Sequence, residues 1–514
     1  MTNPANVQQI CQECAMIDFD KIMNMDLKDL RERYLQGITI ADLGTRISSM
    51  PQNECGLCQF FYQNRPRSYN AEERYQLRAF PYNYAEEQYQ FKAFQYNDGY
   101  GSLREFQYND SQERYQFQAF PYNSAKEQYQ LQAFEFSDGY RLLRDFPSSQ
   151  RKELTELPCL AIVSAPRGNL PSKGLFETIY NSEGLLSQGK LMFCLGNTGH
   201  TGKFFQPRIM LEKADLGRAR EWIDYCVANH PGCHAPVGQL QGLQLIDCRH
   251  RNEDPTGIIG LVEAPKNAIY AALSYVWGNT SDEKSYTQTV SDAVIATRQL
   301  GLQYFWVDKH CIPNNKNEQD RQISKMDLIY RRAHVTIVAS AGSDANHGLP
   351  GVDNTPRDSQ MVVSTGECSF LKSSIPPYIT IPKSKWATRG WTLQEAFLSC
   401  RRLAFTENQL YFECGRINCS EAIPHDFKLL DNMTVSLGRG VLGGLDGYSR
   451  ESKLEEYRQI AAEYRGRELT KIEDALHAFA GISRSFWNEK LEHLWGIEYW
   501  NPDEKSRSPY RSPG

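Results

Sequence analysis

The amino-acid sequence predicts an α/β protein with a parallel sheet that has helices on both faces. Between residues 268 and 415, short and almost wholly apolar runs are separated by helical segments, a pattern typical of strands buried on both sides. The chain is 514 residues long, which exceeds one ordinary core and predicts several domains. Hydrophobic residues make up 40% of it, enough for each domain to have its own core.

Shifts in composition divide the chain into five segments. In chain order they are a cysteine-bearing N-terminal region (1–66), a pair of aromatic β repeats (67–150), a mixed linker region (151–265), the sheet-forming core (266–415), and a helical C-terminal region with a disordered end (416–514). In the last segment, two amphipathic helices are expected within 452–469 and 471–487, packed back on the core.

The N-terminal region contains two C-x-x-C pairs. They consist of Cys11, Cys14, Cys55 and Cys58. Two such pairs present four thiolates to one tetrahedral zinc ion if the residues between them fold back. A structural zinc site is therefore one interpretation, and burial of the thiols as small apolar side chains is the other.

A second group of metal-binding residue types follows the predicted helix REWIDYCVANHPGCH. It consists of Cys226, His230, Cys233 and His234. Their spacing suits a metal ion, but the sequence identifies no ligand from elsewhere in the chain. A capped helix end with a buried thiol is the alternative.

Residues 70–149 contain an internal duplication with a shift of 40 residues, since ERYQLRAFPYN at Glu73 recurs as ERYQFQAFPYN at Glu113. Alternation within YQLRAF predicts a half-buried strand with one side made of Tyr75, Leu77 and Ala79. We expect a meander of short antiparallel strands, about two in each copy. Its aromatic side chains either pack across the strands or form a surface that binds a partner or a glycan.

The sheet-forming core predicts a βαβαβ unit. Three apolar runs are interpreted as strands, at residues 270–278, 303–308 and 334–340. Helical segments connect them at 291–301, with Ser291 as N-cap, and at 318–333. The apolar face of the second helix consists of Ile323, Met326, Ile329, Tyr330 and Ala333.

Ligands of open α/β sheets bind at the carboxyl ends of the strands. This rule selects residues toward or at the C-terminal ends of the three predicted strands, namely Ser274, Trp277, Gly278, Asp308 and Ser340. For Asp308, capping of the following turn is the structural alternative.

One carboxylate, Glu395, lies within the stretch WATRGWTLQEAFLSCR at 386–401. Thr392 and Glu395 have the spacing of a capping box, in which the threonine accepts from a backbone N–H and the glutamate reaches back to the N-cap N–H. Glu395 is therefore interpreted either as a helix cap or as a catalyst.

The charge balance argues against two classes of partner. The net charge is −5, from 57 basic and 62 acidic residues, which offers no basic face to nucleic acid or to acidic lipid. No apolar run approaches the 18 or so residues of a membrane helix, and the first residues do not resemble a secretory signal. We therefore expect a cytoplasmic protein whose 14 cysteines are reduced thiols or metal ligands.

Several motifs occur in a recognisable order: YAALSYVWG, FWVDKHCI, QISKMDLIYRRAHVTIVAS, GLPGV, RGWTLQEAFLSCRRLAF and LYFEC. In order and spacing they resemble the fungal heterokaryon incompatibility (HET) domain, with one departure at Pro313-Asn314, where the family usually has Asn-Gln. The resemblance implies a TIR-like, flavodoxin-like fold for residues 266–415. It also implies a role in non-self recognition and regulated cell death, with protein partners or self-association.

The similarity to TIR domains also implies a reaction. Some TIR domains cleave NAD, and their catalytic glutamate follows a tryptophan at the spacing that Trp391 and Glu395 have here. A carboxylate would stabilise the oxocarbenium-like transition state, and the nicotinamide leaves neutral without a general acid. Trp386 or Trp391 would stack on a ring of the nucleotide, unless both are core residues, and Arg389 would pair with a phosphate. The alternative is a non-enzymatic, self-associating module.

Overall fold

A computed structural model of the chain defines the fold. It describes residues 9–18, 38–51, 54–66, 73–83, 103–109, 114–119, 156–164, 185, 188–196, 208–234, 240–249, 260–278, 286–365, 368–423, 427, 441–442, 450–487, 491–494 and 497–500. The elements named below all lie within these residues.

In chain order the strands are β1 (Ile38–Gly44), β2 (Tyr75–Asn83), β3 (Leu103–Asn109), β4 (Arg114–Ala119), β5 (Glu156–Ser164), β6 (Met192–Gly196), β7 (Gln244–Asp247), β8 (Leu261–Glu263), β9 (Tyr270–Ser274), β10 (Tyr304–Trp306), β11 (Val335–Ala339), β12 (Val362–Ser364), β13 (Cys368–Lys372), β14 (Arg401–Phe405), β15 (Leu410–Cys414), β16 (Asn418–Ser420), β17 (Leu491–Leu494) and β18 (Ile497–Trp500). The α-helices are α1 (Gln12–Ala15), α2 (Gly56–Asn64), α3 (Leu216–Asn229), α4 (Gln288–Gln299), α5 (Asp308–Cys311), α6 (Lys316–Ile323), α7 (Met326–Arg332), α8 (Pro377–Thr380), α9 (Gly390–Leu398), α10 (Arg450–Arg465) and α11 (His477–Trp487). Short 3₁₀ turns lie at Pro231–Cys233, Trp386–Thr388 and Ile472–Asp474.

The central sheet has the strand order β16-β15-β14-β11-β9-β10-β7-β8. Its four middle strands, β10, β9, β11 and β14, all run parallel to one another. The three predicted strands are therefore present and parallel, each shorter than the apolar run that predicted it. All residues of β9, β11 and β14 are buried, which explains their continuous apolar pattern.

The prediction of a wholly parallel sheet is wrong for the flanking strands. β15 and β16 pair antiparallel beyond β14, and β7 and β8 pair antiparallel beyond β10. The connection from β14 to β15 is short, and the Thr406 hydroxyl donates to the Gln409 carbonyl within it at 2.8 Å. A tight connection of this kind joins only antiparallel strands, because parallel strands need a long crossover.

Helices cover both faces of the central sheet, as predicted. Ile337 and Leu403 belong to one core cluster with α3 and α4, whereas their neighbours Val338 and Ala404 belong to another with Ala396 of α9. Successive strand residues point to opposite faces, so the two clusters lie on opposite sides.

The connecting helices differ in detail from the prediction. The first begins at Gln288 with Thr287 as N-cap, so Ser291 lies inside the helix and is not its cap. The predicted helix 318–333 is two helices, α6 and α7. The Asn315 side chain caps α6 by accepting from the backbone N–H of Glu318 at 3.3 Å.

A second sheet is antiparallel and has the order β1-β2-β5-β6-β13-β12. Its strand β2 confirms the predicted alternation, with Tyr75, Leu77 and Ala79 fully buried. The repeat strand pairs with β1 and β5, while β3 and β4 pair with each other. The other predicted strands of the repeats lie outside the described residues.

The C-terminal region contains the two predicted helices, α10 and α11. They pack back on the core, and the ring of Phe486 stacks on Phe397 of α9 with centroids 6.1 Å apart. An unpredicted antiparallel pair, β17 and β18, follows α11. The predicted disordered end lies outside the described residues. Among the described helices, none has the length and apolar character needed to cross a bilayer.

Candidate functional site

Three predicted site residues meet at the carboxyl edge of the parallel strands. Ser274 ends β9, Asp308 follows β10, and Glu395 on α9 packs against them. The chain runs from β9 to β10 on one side of it and then crosses to β11 on the other side. The order of the strands therefore reverses direction at β9. Ligand crevices of open α/β sheets form at such a switch point.

Glu395 is held by a chain of hydrogen bonds from two predicted residues. The Ser274 hydroxyl donates to the Glu395 carboxylate at 2.5 Å, and the Trp386 indole N–H donates to the Ser274 oxygen at 2.8 Å. Glu395 is buried, with only 5% of its surface exposed. This burial makes the position of the carboxylate rigid, since its neighbours are fixed by packing.

The capping-box interpretation of Glu395 is wrong. Helix α9 begins at Gly390, three residues earlier than a cap at Thr392 requires, and no side chain caps it. The Thr392 hydroxyl instead donates to the carbonyls of Trp386 and Arg389 at 2.7 and 2.9 Å. A side chain at position 390 would lie 2.5 Å from the Leu469 side chain, so glycine permits the close approach of Leu469 to the start of the helix.

The Glu395 and Asp308 carboxyl groups have different pKa values because their surroundings differ. Burial raises the pKa of Glu395 to about 8, and the negative charge of Asp308 adds to this. Burial raises the pKa of Asp308 to about 6, against hydrogen bonds from the Lys309 backbone and the Trp277 indole. The charge of Arg389 lowers the pKa of both groups. Near pH 7, Glu395 is therefore mostly protonated and Asp308 mostly ionised.

Trp277 and Gly278 form the outer part of the site. Trp277 is 45% exposed, and its indole N–H donates to the Asp308 carboxylate at 3.0 Å. Gly278 has a φ of +69°, and a Cβ there would lie 2.4 Å from the Cβ of Asp344. The glycine therefore allows both the left-handed turn and the close contact that together direct Trp277 toward Asp308.

Gly278→Ala is expected to lower the free energy of unfolding by about 1–3 kcal/mol, because it adds a steric clash to a left-handed backbone. Denaturant unfolding of the purified protein measures the change. Gly217→Ala is the matched control, since a Cβ there would have its nearest contact at an ordinary 3.5 Å in helix α3. Equal stability of the two variants would contradict the role given to Gly278.

The remaining predicted residues have other contacts. The Trp391 indole N–H lies 3.4 Å from the Asp474 carboxylate, and the Ser340 hydroxyl donates to the Phe405 carbonyl at 2.7 Å. Arg389 is half-buried at the N-cap of α9. Its positive charge lowers the pKa of both Glu395 and Asp308, so it acts on both carboxyl groups.

The comparisons with known proteins concern the part of the chain that contains this site. The sequence model of the family described as heterokaryon incompatibility protein (HET) matches residues 270–395. The chain contains a HET domain. The matched range begins with β9 and includes Ser274, Asp308 and Glu395.

A relative of the HET domain extends the match. Vegetative incompatibility protein HET-E-1 of Podospora anserina is 26% identical over 227 residues, which are 41% of this chain and 14% of that relative. The chain therefore spans a small part of that protein's length. No solved structure matches the chain.

Sequence reasoning missed one contributor to the HET-domain site. The Tyr330 hydroxyl on α7 donates to the Leu273 carbonyl at 2.9 Å and is also hydrogen-bonded to the Glu395 carboxyl. The helical periodicity of the sequence placed Tyr330 on an apolar face, and its ring does belong to that face. The available signal was that Tyr330 was the one member of that face with a polar group, which needs a partner when buried.

The four N-terminal cysteines come together as the sequence predicted. The sulfur atoms of Cys11, Cys14, Cys55 and Cys58 all lie within 4.8 Å of one another. The Cys14 and Cys58 sulfurs are 3.5 Å apart, and the Cys58 backbone N–H donates to the Cys55 sulfur at 3.4 Å. Four thiols at these distances can hold one metal ion.

The second predicted group comes together with one change of member. Ligand atoms of Cys226, His230 and Cys233 lie within 4.8 Å of one another and of the Cys414 sulfur. His234 is exposed, and its ring Nε2 lies 3.2 Å from the Val227 carbonyl. The ligand missing from the sequence analysis is thus Cys414, at the end of β15, and this group too can hold a metal ion.

Proposed function

We propose that the HET domain hydrolyses the bond between ribose and nicotinamide in NAD or a related nucleotide, with Glu395 as the catalytic carboxylate. By this proposal, the reaction serves incompatibility signalling and regulated cell death. One observation carries the proposal: a buried glutamate with a pKa raised to about 8 by burial and by Asp308 lies at the ligand-binding edge of a parallel sheet. Perturbed carboxyl groups at such edges are typical of catalytic sites.

The reaction needs a negative charge beside the ribose. When a pyridinium nucleotide binds, its positive charge favours loss of the Glu395 proton to solvent. The resulting carboxylate, oriented by the Ser274 hydroxyl, stabilises the oxocarbenium-like transition state as the C–N bond breaks. The bonding electrons leave with the nicotinamide, which departs neutral.

Asp308 completes the reaction. Its pKa of about 6, raised by burial, leaves it ionised at neutral pH, so it can accept a proton from the attacking water. The oxygen of that water bonds to the anomeric carbon, and the products are ADP-ribose, nicotinamide and one proton. Two carboxyl groups with separate pKa values can thus take separate roles.

Binding of the nucleotide uses the exposed edge of the site. The half-exposed Trp277 ring offers a face for stacking, and Arg389 supplies a positive charge for a phosphate.

The order of the parallel strands, with the second and third on either side of the first, is also that of flavodoxin-like folds. This order supports the TIR-like fold that the proposal requires.

The proposal is tested by following NAD loss and nicotinamide release with the full chain. Glu395→Gln keeps the shape of the side chain but cannot carry the charge, so turnover is expected to fall at least about 10²–10³-fold. Wild-type kcat/KM is expected to rise with pH toward about 8, where burial has placed the pKa of Glu395.

The control is Glu263→Gln, which neutralises an exposed carboxylate on β8 and should leave turnover unchanged. Wild type is assayed both dilute and artificially clustered, because some reactions of signalling proteins require association. Absence of turnover in all wild-type samples would overturn the enzymatic proposal. Association of the same samples, measured by light scattering, would then favour a self-associating module.

We also propose that Cys11, Cys14, Cys55 and Cys58 bind a structural zinc ion. Their four sulfur atoms leave no open position on a tetrahedral ion, as in structural rather than catalytic sites. The cluster joins α1 to the start of α2, whose Leu57, Phe60 and Phe61 side chains are buried in the adjoining core.

A further inference from the structure

The second group of metal-ligating side chains lies far along the chain from the first and outside the carboxylate site. We propose that Cys226, His230, Cys233 and Cys414 bind one structural zinc ion through three thiolates and one imidazole. All four residues are buried. Three of them come from the end of α3 and the 3₁₀ turn that follows, and Cys414 comes from the end of β15.

The distances suit a tetrahedral zinc ion. The Cys414 sulfur lies 3.5 Å from the Nδ1 atom of His230, and all four ligand atoms are within 4.8 Å of one another. Zinc bonds of about 2.3 Å to sulfur and about 2.0 Å to nitrogen give ligand separations of roughly 3.5–3.8 Å. Small shifts of the side chains therefore complete the coordination shell.

The backbone around Cys414 is arranged to stabilise thiolates. The backbone N–H groups of Arg416 and Ile417 both donate to the Cys414 sulfur at 3.3 Å. The backbone N–H of Gly415 is hydrogen-bonded to the Cys233 sulfur. A turn that directs three N–H groups at two sulfurs favours their charged form, which is the form that binds metal.

A buried cation balances the charge of the centre. Zinc with three thiolates and a neutral imidazole carries a net charge of −1. The Arg401 side chain, in a residue only 3% exposed, donates to the Cys233 carbonyl at 2.7 Å and contacts the Cys226 sulfur at 3.9 Å. With its guanidinium the centre is neutral, which lowers the cost of burying it.

The position of the centre gives it a structural role. It links α3, which precedes the first parallel strand, to β15, which follows the fourth. The same two elements meet where Trp222 packs near Phe412, with ring centroids 6.3 Å apart. Four protein ligands leave no open position for substrate, so the metal holds α3 against the central sheet and takes no part in the reaction at Glu395.

The test counts zinc in the full chain after purification under reducing conditions. Wild type is expected to contain two zinc ions per chain, one in each centre. Cys414→Ser and Cys14→Ser should each contain one, and the double variant none. The matched control is Cys419→Ser, which changes a fully buried cysteine on β16 that belongs to neither group and should retain both ions.

Equal zinc content in wild type and Cys414→Ser would overturn the proposal, and so would loss of all zinc from Cys14→Ser. If Cys414→Ser does not fold, cobalt spectra of the Cys14→Ser protein decide instead. Tetrahedral cobalt bands with thiolate charge transfer support the centre, and their absence, or a disulfide between Cys226 and Cys233, overturns it.

His230→Cys should keep the metal with a four-sulfur spectrum. Zinc is counted without reference to NAD turnover, so failure of either proposal leaves the other intact.

Discussion

At pH 9 the Glu395→Gln variant is expected to unfold at a higher temperature than wild type, and at pH 5 the difference should become small. Burial raises the pKa of Glu395 from 4.5 to about 8, so the folded protein holds this proton more tightly than the unfolded chain. The stability that the carboxyl group contributes is complete below about pH 4.5. It is lost as the pH rises through 8, at up to about 1.4 kcal/mol per pH unit.

The expected gain of the variant at pH 9 is therefore on the order of 3–5 kcal/mol, because glutamine places no charge in the buried site. Thermal and denaturant unfolding at pH 5, 7 and 9 measure it, with Glu263→Gln as the exposed control that should follow wild type. A stability difference between Glu395→Gln and wild type that does not change with pH would contradict the raised pKa. Loss of turnover together with a gain in stability is the combination expected of a catalytic residue.

Arg402→Met is expected to lower the free energy of unfolding by about 3–5 kcal/mol, since it leaves a buried charge without its partner. The guanidinium lies 3.2 Å from the Glu413 carboxylate, with both side chains at most 2% exposed. It also donates to the carbonyls of Ala396 and Ser399 at 3.2 and 3.0 Å. Because these carbonyls end helix α9, the variant should also loosen the helix that holds Glu395.

Denaturant unfolding measures the effect, and hydrogen exchange in α9 reports the local loosening. Arg321→Met is the matched control, because it removes an exposed pair with Glu318, at 71% and 46% exposure, and should cost under about 1 kcal/mol. Adding Glu413→Gln to Arg402→Met removes the unpaired charge and should restore part of the stability. If Arg402→Met were no less stable than Arg321→Met, the buried pair would have no structural importance.

The central fold could be predicted from sequence because its signals are local. Continuous apolar runs predicted β9, β10 and β11, and helical periodicity predicted their connections. The flanking antiparallel strands could not be predicted in the same way, because strand direction depends on which neighbour a segment pairs with. The second sheet shows this most clearly, since it combines β1 and β2 with strands from much later in the chain.

The site could be predicted in part for the same reason. Ser274 and Asp308 lie toward the C-terminal ends of strands that the sequence predicted, and the topology rule brings such ends together. The capping box failed because α9 begins at Gly390, whose backbone N–H donates to the Glu468 carbonyl at 2.8 Å, a tertiary contact that local spacing does not contain. Cys414 was missed because it lies on a distant strand, although the glycine after it in FECG indicated a turn suited to a metal ligand.

The second sheet also determines the order in which the chain can fold during synthesis. β13 pairs with β6, and both β12 and β13 lie between the third and fourth parallel strands in the sequence. One half of this sheet therefore leaves the ribosome long before the other, and the edge of β6 stays without its partner until the core of the central sheet has been translated. An unpaired strand edge is prone to aggregate, so nascent chains that stop before residue 368 should depend on chaperones more than chains that extend past residue 372.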